Sequence, residues 1–150
     1  MENPGHIHWE AVKRIFCYLL ETKNWELTYE ATDNSLKGYT DADGSSQEYR
    51  HAISRYVFLM NGGAISWSSK KQELITLSTA ESEYVATTYA SKEALWLRQI
   101  IGELFGPVTE PTMLYSDSQS AIALTKDGSY HAWTKHIDIW YHFIHFVVQN

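Results

Sequence analysis

A chain of 150 residues with 44% apolar content can bury one full core but hardly two, which excludes an assembly of several ordinary domains. Its formal charge of −6 excludes strong nonspecific attraction to nucleic acid, so any such contact must be local. The lone cysteine, Cys17, excludes an intramolecular disulfide and a cysteine-built zinc site, and fits a reducing compartment.

From the N-terminus, the Pro4-Gly5 breaker is followed by Trp9, Val12, Ile15, Phe16, Leu19 and Leu20 at helical spacing, which predicts an amphipathic helix over His8 to Thr22. Such a helix is expected to pack on another surface. Glu2 and two histidines stand where a secretory signal would need a basic region and an apolar run. No segment approaches membrane-spanning length, so a soluble, intracellular protein without membrane contact is expected. Trp25 to Tyr29 reads as a short strand, and Leu36 to Asp43, Ile53 to Met60 and Ala64 to Ser68 read as three strands joined by tight turns. Between the last two, Asn61-Gly62-Gly63 is a strong hairpin signal.

Chemistry concentrates in three places. Gly38-Tyr39-Thr40-Asp41-Ala42-Asp43-Gly44-Ser45 is a strand that ends in two carboxylates and a glycine turn. The period of two puts Asp41 and Asp43 on one face, with Asp43 nearer the turn and more exposed. Ser78-Thr79-Ala80-Glu81-Ser82-Glu83 opens a long helical pattern. Ser78 and Glu81 form a capping box, which gives Glu81 a structural role. At roughly 100° per residue Glu83 lines up instead with Ala86, Ala90, Ala94, Leu97 and Ile101, the stripe that should face the sheet, and is favoured as a ligand. Leu114-Tyr115-Ser116-Asp117-Ser118-Gln119 repeats the strand-then-Asp arrangement, and Asp117 is either a ligand or the N-cap of the next helix. Carboxylates gathered from separate elements repel one another, and Mg²⁺ or Mn²⁺ is the usual remedy. A pair of such ions can carry out phosphodiester chemistry.

Two further patterns compete for attention. Asp138, His142 and His145 fall at i, i+4 and i+7 of a helix, a spacing that can bind zinc or simply form a polar face. Lys13-Arg14, Lys70-Lys71, Arg50, Arg55 and Lys135 are the candidate basic patches, against a background of ordinary solvated side chains.

Taken in order, Tyr39-Thr40-Asp41, Leu77-Ser78-Thr79-Ala80-Glu81-Ser82-Glu83-Tyr84, Tyr115-Ser116-Asp117-Ser118-Gln119-Ser120-Ala121 and Thr134-Lys135-His136-Ile137-Asp138-Ile139-Trp140-Tyr141-His142-Phe143-Ile144 resemble the ribonuclease H domain of copia-type retrotransposon Pol polyproteins. Ile65-Ser66-Trp67-Ser68-Ser69-Lys70-Lys71-Gln72 and Lys92-Glu93-Ala94-Leu95-Trp96-Leu97-Arg98 are similar to that family as well. His8-Trp9-Glu10-Ala11-Val12-Lys13-Arg14-Ile15 resembles the tract that joins the reverse transcriptase to this domain, so residues 1–34 read as that connection and 35–150 as the ribonuclease H-like domain.

The resemblance implies an α/β fold, a mixed sheet whose first three strands are antiparallel and whose faces carry helices. It implies cleavage of the RNA strand of an RNA/DNA hybrid with two Mg²⁺ or Mn²⁺ ions, the hybrid being recognised by shape and ribose hydroxyls. Asp41, Glu83 and Asp117 would be the catalytic, metal-binding acids, and Ser45, Lys70, Lys71 and Gln119 the substrate contacts. The family's fourth acid is expected after a fifth strand, before which this chain stops; Asp138 offers a substitute but belongs to the helix preceding that strand. The incomplete sheet is expected to expose an edge and promote self-association. Where the family typically has arginine the chain carries Cys17, Trp133 and an exposed Trp140, and Arg55 stands where glycine is common. Two readings follow: a hybrid ribonuclease within a retrotransposon polyprotein, or a catalytically silent or domesticated fold that acts as a binding module.

Overall fold

The computed structural model describes residues 3–30, 33–43, 51–126 and 138–149, the side chains of 138, 139, 141 and 149 excepted. In chain order the elements are α1 (His6–Thr22), β1 (Lys37–Asp43), β2 (Ile53–Met60), β3 (Gly63–Lys71), α2 (Thr79–Phe105), β4 (Met113–Tyr115), α3 (Gln119–Lys126) and α4 (Asp138–Gln149).

Ile53–Met60, with the β-branched and aromatic Ile53, Tyr56, Val57 and Phe58, forms β2, which pairs antiparallel with β1 on one side and β3 on the other. Asn61 and Gly62 both have positive φ, 54° and 77°, the backbone a two-residue hairpin needs to match the twist of its strands. β3 runs on past Ser68 to Lys71 because its polar residues continue to pair with Ile53, Ser54 and Arg55. β4 joins β1 in parallel, giving a sheet of order β3-β2-β1-β4. Three antiparallel strands, a parallel fourth and packed helices form the expected α/β, ribonuclease H-like arrangement.

Along β1 the residues Gly38, Thr40 and Ala42 are buried, whereas Tyr39 and Asp43 are exposed and Lys37 and Asp41 half-buried. The buried side meets α2, where Ala90, Ala94 and Leu97 close over Leu36 and Phe58, with Leu114 and Ile65 at the margin. Small residues on both partners let the helix lie close to the sheet. A second cluster, Tyr84, Val85 and Ile144, ties α2 to α4. Trp140 belongs to this contact. Its ring lies 5.2 Å from that of Tyr89, with the Lys92 ammonium 4.0 Å from its centroid. The expected exposed Trp140 is therefore half-buried, covered by α2.

Two other expectations change. Trp25 to Tyr29 forms no strand. The segment crosses the hairpin end, where the Tyr29 hydroxyl donates to the Ala64 carbonyl at 2.7 Å and Glu30 N–H donates to the Asn61 carbonyl at 2.8 Å. α1 is helical as expected, but it buries none of its residues; Phe16 is 63% and Leu20 67% exposed, so nothing among the described residues covers its apolar stripe. No helix among the described residues is long and apolar enough to cross a membrane.

Gly38 is the tightest point of the sheet. A Cβ there would stand 2.5 Å from Phe58 Cε1 and 2.8 Å from Leu114 Cδ1, inside two core side chains. Gly38→Ala is expected to cost about 1–3 kcal/mol through overpacking, read as a lower urea midpoint at unchanged slope.

Candidate metal centre

β1 and β4 run side by side with Tyr39 opposite Tyr115, and the two rings stack with centroids 5.0 Å apart. Two residues further along each chain the side chains return to the same face. Asp41, two residues further along β1, meets Asp117, which lies in the bend two residues beyond the end of β4. The third acid comes from α2. Its first turn is fixed by Ser78, whose Oγ accepts from Glu81 N–H at 3.2 Å, while Glu81 Oε2 accepts from Leu77 N–H at 2.6 Å. Glu81 thus caps the helix, and Glu83 is the glutamate that joins the acids.

One carboxylate oxygen from each of Asp41, Glu83 and Asp117 lies within 4.8 Å of the others. Among the described residues this is the one group of three or more metal-type side chains that converges. The alternative role of Asp117 as an N-cap is taken by its neighbour. Ser118 Oγ accepts from Ala121 N–H at 3.2 Å, and the Ser118 carbonyl accepts from Ile122 N–H at 3.0 Å.

Glu83 is 9% exposed, and its Oε2 is buried without a hydrogen-bond partner. Burial pushes its carboxyl above the ordinary range, the Ala42 N–H opposes that by donating to it, and the charges of Asp41 and Asp117 push it up further. A buried, partnerless carboxylate oxygen beside two more carboxylates suits a cation. The all-oxygen donor set matches a hard divalent ion such as Mg²⁺ or Mn²⁺ rather than zinc, so this cluster can hold a metal ion.

Arg55, on β2, sits directly opposite Asp41 on β1. Its Nη1 is 3.1 Å from Asp41 Oδ2 and its Nη2 is 2.8 Å from Asp43 Oδ2. Asp43, on the same face as Asp41, is not among the converging carboxylates. The two carboxylates in turn hold the guanidinium firmly protonated, Asp43 more than Asp41.

The other expected contacts separate. In the register, Ile53 lies opposite both Asp43 and Lys71, so Lys71 shares the face and cross-sheet row of Asp43, one strand removed. Lys70 is opposite Ser54 and so takes the other face, where it pairs with Glu73 at 3.2 Å. There it lines a cavity of about 220 Å³ with Tyr56, Tyr89, Lys92 and Glu93. Gln119 is exposed at the start of α3, two residues beyond Asp117. Ser45 lies outside the described residues, as do Arg50, Trp133 and Lys135, and the side chain of Asp138. His142 is exposed and His145 half-buried on α4.

One positioning residue carried no chemical signal of its own in the sequence. Gln72, 2% exposed, donates through Nε2 to Ser54 Oγ at 2.8 Å and to the Ser82 carbonyl at 2.9 Å. It ties the turn before Glu83 to the sheet.

Comparison with known proteins gives a consistent set of relatives. The retrovirus-related Pol polyprotein from transposon TNT 1-94 of Nicotiana tabacum is 48% identical over 151 residues, covering 100% of this chain and 11% of the polyprotein. That from transposon RE1 of Arabidopsis thaliana is 35% identical over 153 residues, covering 100% of this chain and 10% of the polyprotein. Secreted RxLR effector protein 161 of Plasmopara viticola is 43% identical over 97 residues, which are 63% of this chain and 68% of that protein. The chain therefore spans about a tenth of the length of the polyproteins it matches. No protein-family model and no solved structure matches it.

The electrostatics of the cluster give a test that needs no substrate. Asp117→Asn removes one of three mutually repelling charges without breaking the Arg55 pairs, a relief of about 1 kcal/mol in a water-like dielectric. The metal-free variant should melt roughly 2–4 °C higher. Mg²⁺ or Mn²⁺ should raise the melting temperature of the unmutated chain and not that of the variant, as read by circular dichroism.

Proposed function

We propose that this chain, which retrovirus-related Pol polyproteins of transposons match along its whole length at 33–48% identity, is their ribonuclease H-like segment. In this reading it hydrolyses the RNA strand of RNA/DNA hybrids, with residues 35–150 as the nuclease domain and 1–34 as the connection to a reverse transcriptase. The observation that carries the proposal is the convergence of Asp41, Glu83 and Asp117 within 4.8 Å.

Each residue has a separate task. Asp41 presents a carboxylate oxygen from β1 and Asp117 one from just beyond the end of the neighbouring parallel β4, and Glu83 presents a buried oxygen with no competing donor. Two divalent ions bound to these acids would activate water and stabilise the leaving oxygen of a phosphodiester. Lys71, on the face of the acids, is placed to meet a phosphate, and Gln119 and Ser45 are the proposed contacts to the hybrid. Lys70 takes that role less readily because it lies on the opposite face and pairs with Glu73.

A second reading, a silent fold that works by binding, draws support from two observations. Arg55 already engages Asp41, and one relative is named a secreted effector rather than a transposon polyprotein.

A labelled RNA/DNA hybrid decides between them. The expected result is Mg²⁺- or Mn²⁺-dependent cutting of the RNA strand, lost with EDTA and reduced to background in Asp117→Asn and Glu83→Gln. Absence of cutting by a chain shown to be folded would give the binding-module reading the field.

A further inference from the structure

Arg55 is the one basic side chain among the described residues that forms an ion pair with a member of the acidic cluster. Its neighbours across the sheet are Asp41 on β1 and Ser69 on β3, so its two cross-strand contacts are one carboxylate and one neutral hydroxyl. The fork turns to β1, where Asp41 and Asp43, two residues apart on one face, receive one guanidinium nitrogen each. These side chains are 42%, 51% and 56% exposed, and pairs of that kind add little to stability. Their effect falls instead on whatever else Asp41 must hold.

We propose that Arg55 is a built-in counter-ion of the metal centre, which engages Asp41 and Asp43 and so lowers the affinity of the cluster for a divalent cation. The inference rests on the metal-centre reading above and sets its metal requirement. Two physical effects combine. The guanidinium occupies one acceptor site of the Asp41 carboxylate and leaves its remaining acceptor sites to a metal, so competition weakens binding without abolishing it. Its fixed positive charge also repels a cation seated among the three acids. A unit charge acting on a divalent ion a few ångströms away in a water-like dielectric changes affinity by roughly tenfold. The same fork keeps Asp43 turned to Arg55, outside the converging set, so the cluster works with three carboxylates while a fourth stands on the same face.

Calorimetric titration with Mn²⁺ tests this on the whole chain, alongside Arg55→Gln and Arg55→Lys. Arg55→Gln should bind roughly tenfold more tightly than the unmutated chain, with a gap that narrows as NaCl is raised. Arg55→Lys keeps the charge and should stay close to the unmutated affinity. Equal or weaker binding by Arg55→Gln overturns the inference, and so does an Arg55→Lys affinity that rises as far as that of Arg55→Gln. Should Arg55→Gln fail to fold, Arg55→Thr, uncharged and at home in a strand, carries the same expectation. The two levels of failure are distinguishable. If neither the unmutated chain nor the uncharged variant binds Mn²⁺, the metal centre itself falls. If both bind equally while Asp117→Asn does not, only the role of Arg55 falls.

Discussion

Three carboxylates within 4.8 Å of one another repel, and the fold around them is arranged to hold them there. The burial of the first turns of α2 between the sheet and α4 does most of this, with Tyr84, Val85 and Ala86, directly after Glu83, fully enclosed. Polar bonds fix what burial leaves free. Ser78 and Glu81 close the helix end, Gln72 binds the Ser82 carbonyl to β2, and the Ala42 N–H reaches Glu83. The Gln72 amide nitrogen and the Ala42 N–H act on the buried part of this set, so the bonds that satisfy them also hold the acid in place.

Much of this was legible in the residues. β2 begins and ends at Ile53 and Met60, as its pattern predicts, and the two positive-φ residues of the hairpin are the Asn-Gly pair. The distinction between Glu81 and Glu83 followed from helical phase alone, since one falls at a cap and the other on the stripe of Ala86, Ala90 and Ala94. Local pattern misled where tertiary partners decide. Trp25 to Tyr29 has the composition of a strand, yet Tyr29 is used to cover Gly63 and the hairpin end. Trp140 gave no sign of the Lys92 ammonium that lies over it, because the pair forms between helices far apart in sequence. The Arg55 fork was equally hidden. It depends on the register of β1 against β2, which no local spacing encodes.

The sheet itself carries an apolar row beside its charged one. On the face away from the packed side of β1, Tyr115, Tyr39, Val57 and Trp67 line up across β4, β1, β2 and β3. Trp67 is 69% exposed and the two tyrosines 43% each. The next row along the same face runs through Asp41, Arg55 and Ser69. Stacking aromatic surface thus lies one step of the pleat from the acids.

The placement of Asp41 depends finally on a side chain that is absent. The packed face of β1 is Gly38, Thr40 and Ala42, three small residues that by themselves would let the strand slide two positions without exposing any apolar group. Only position 38 can lie beneath Phe58 and Leu114, where there is no room for even one carbon beyond the backbone. A slide of two would drive Thr40 or Leu36 into that gap, and would bring Asp43 or Tyr39 to the station beside Asp117. The notch at Gly38 therefore works as an alignment key, selecting which of two neighbouring aspartates meets the other acids.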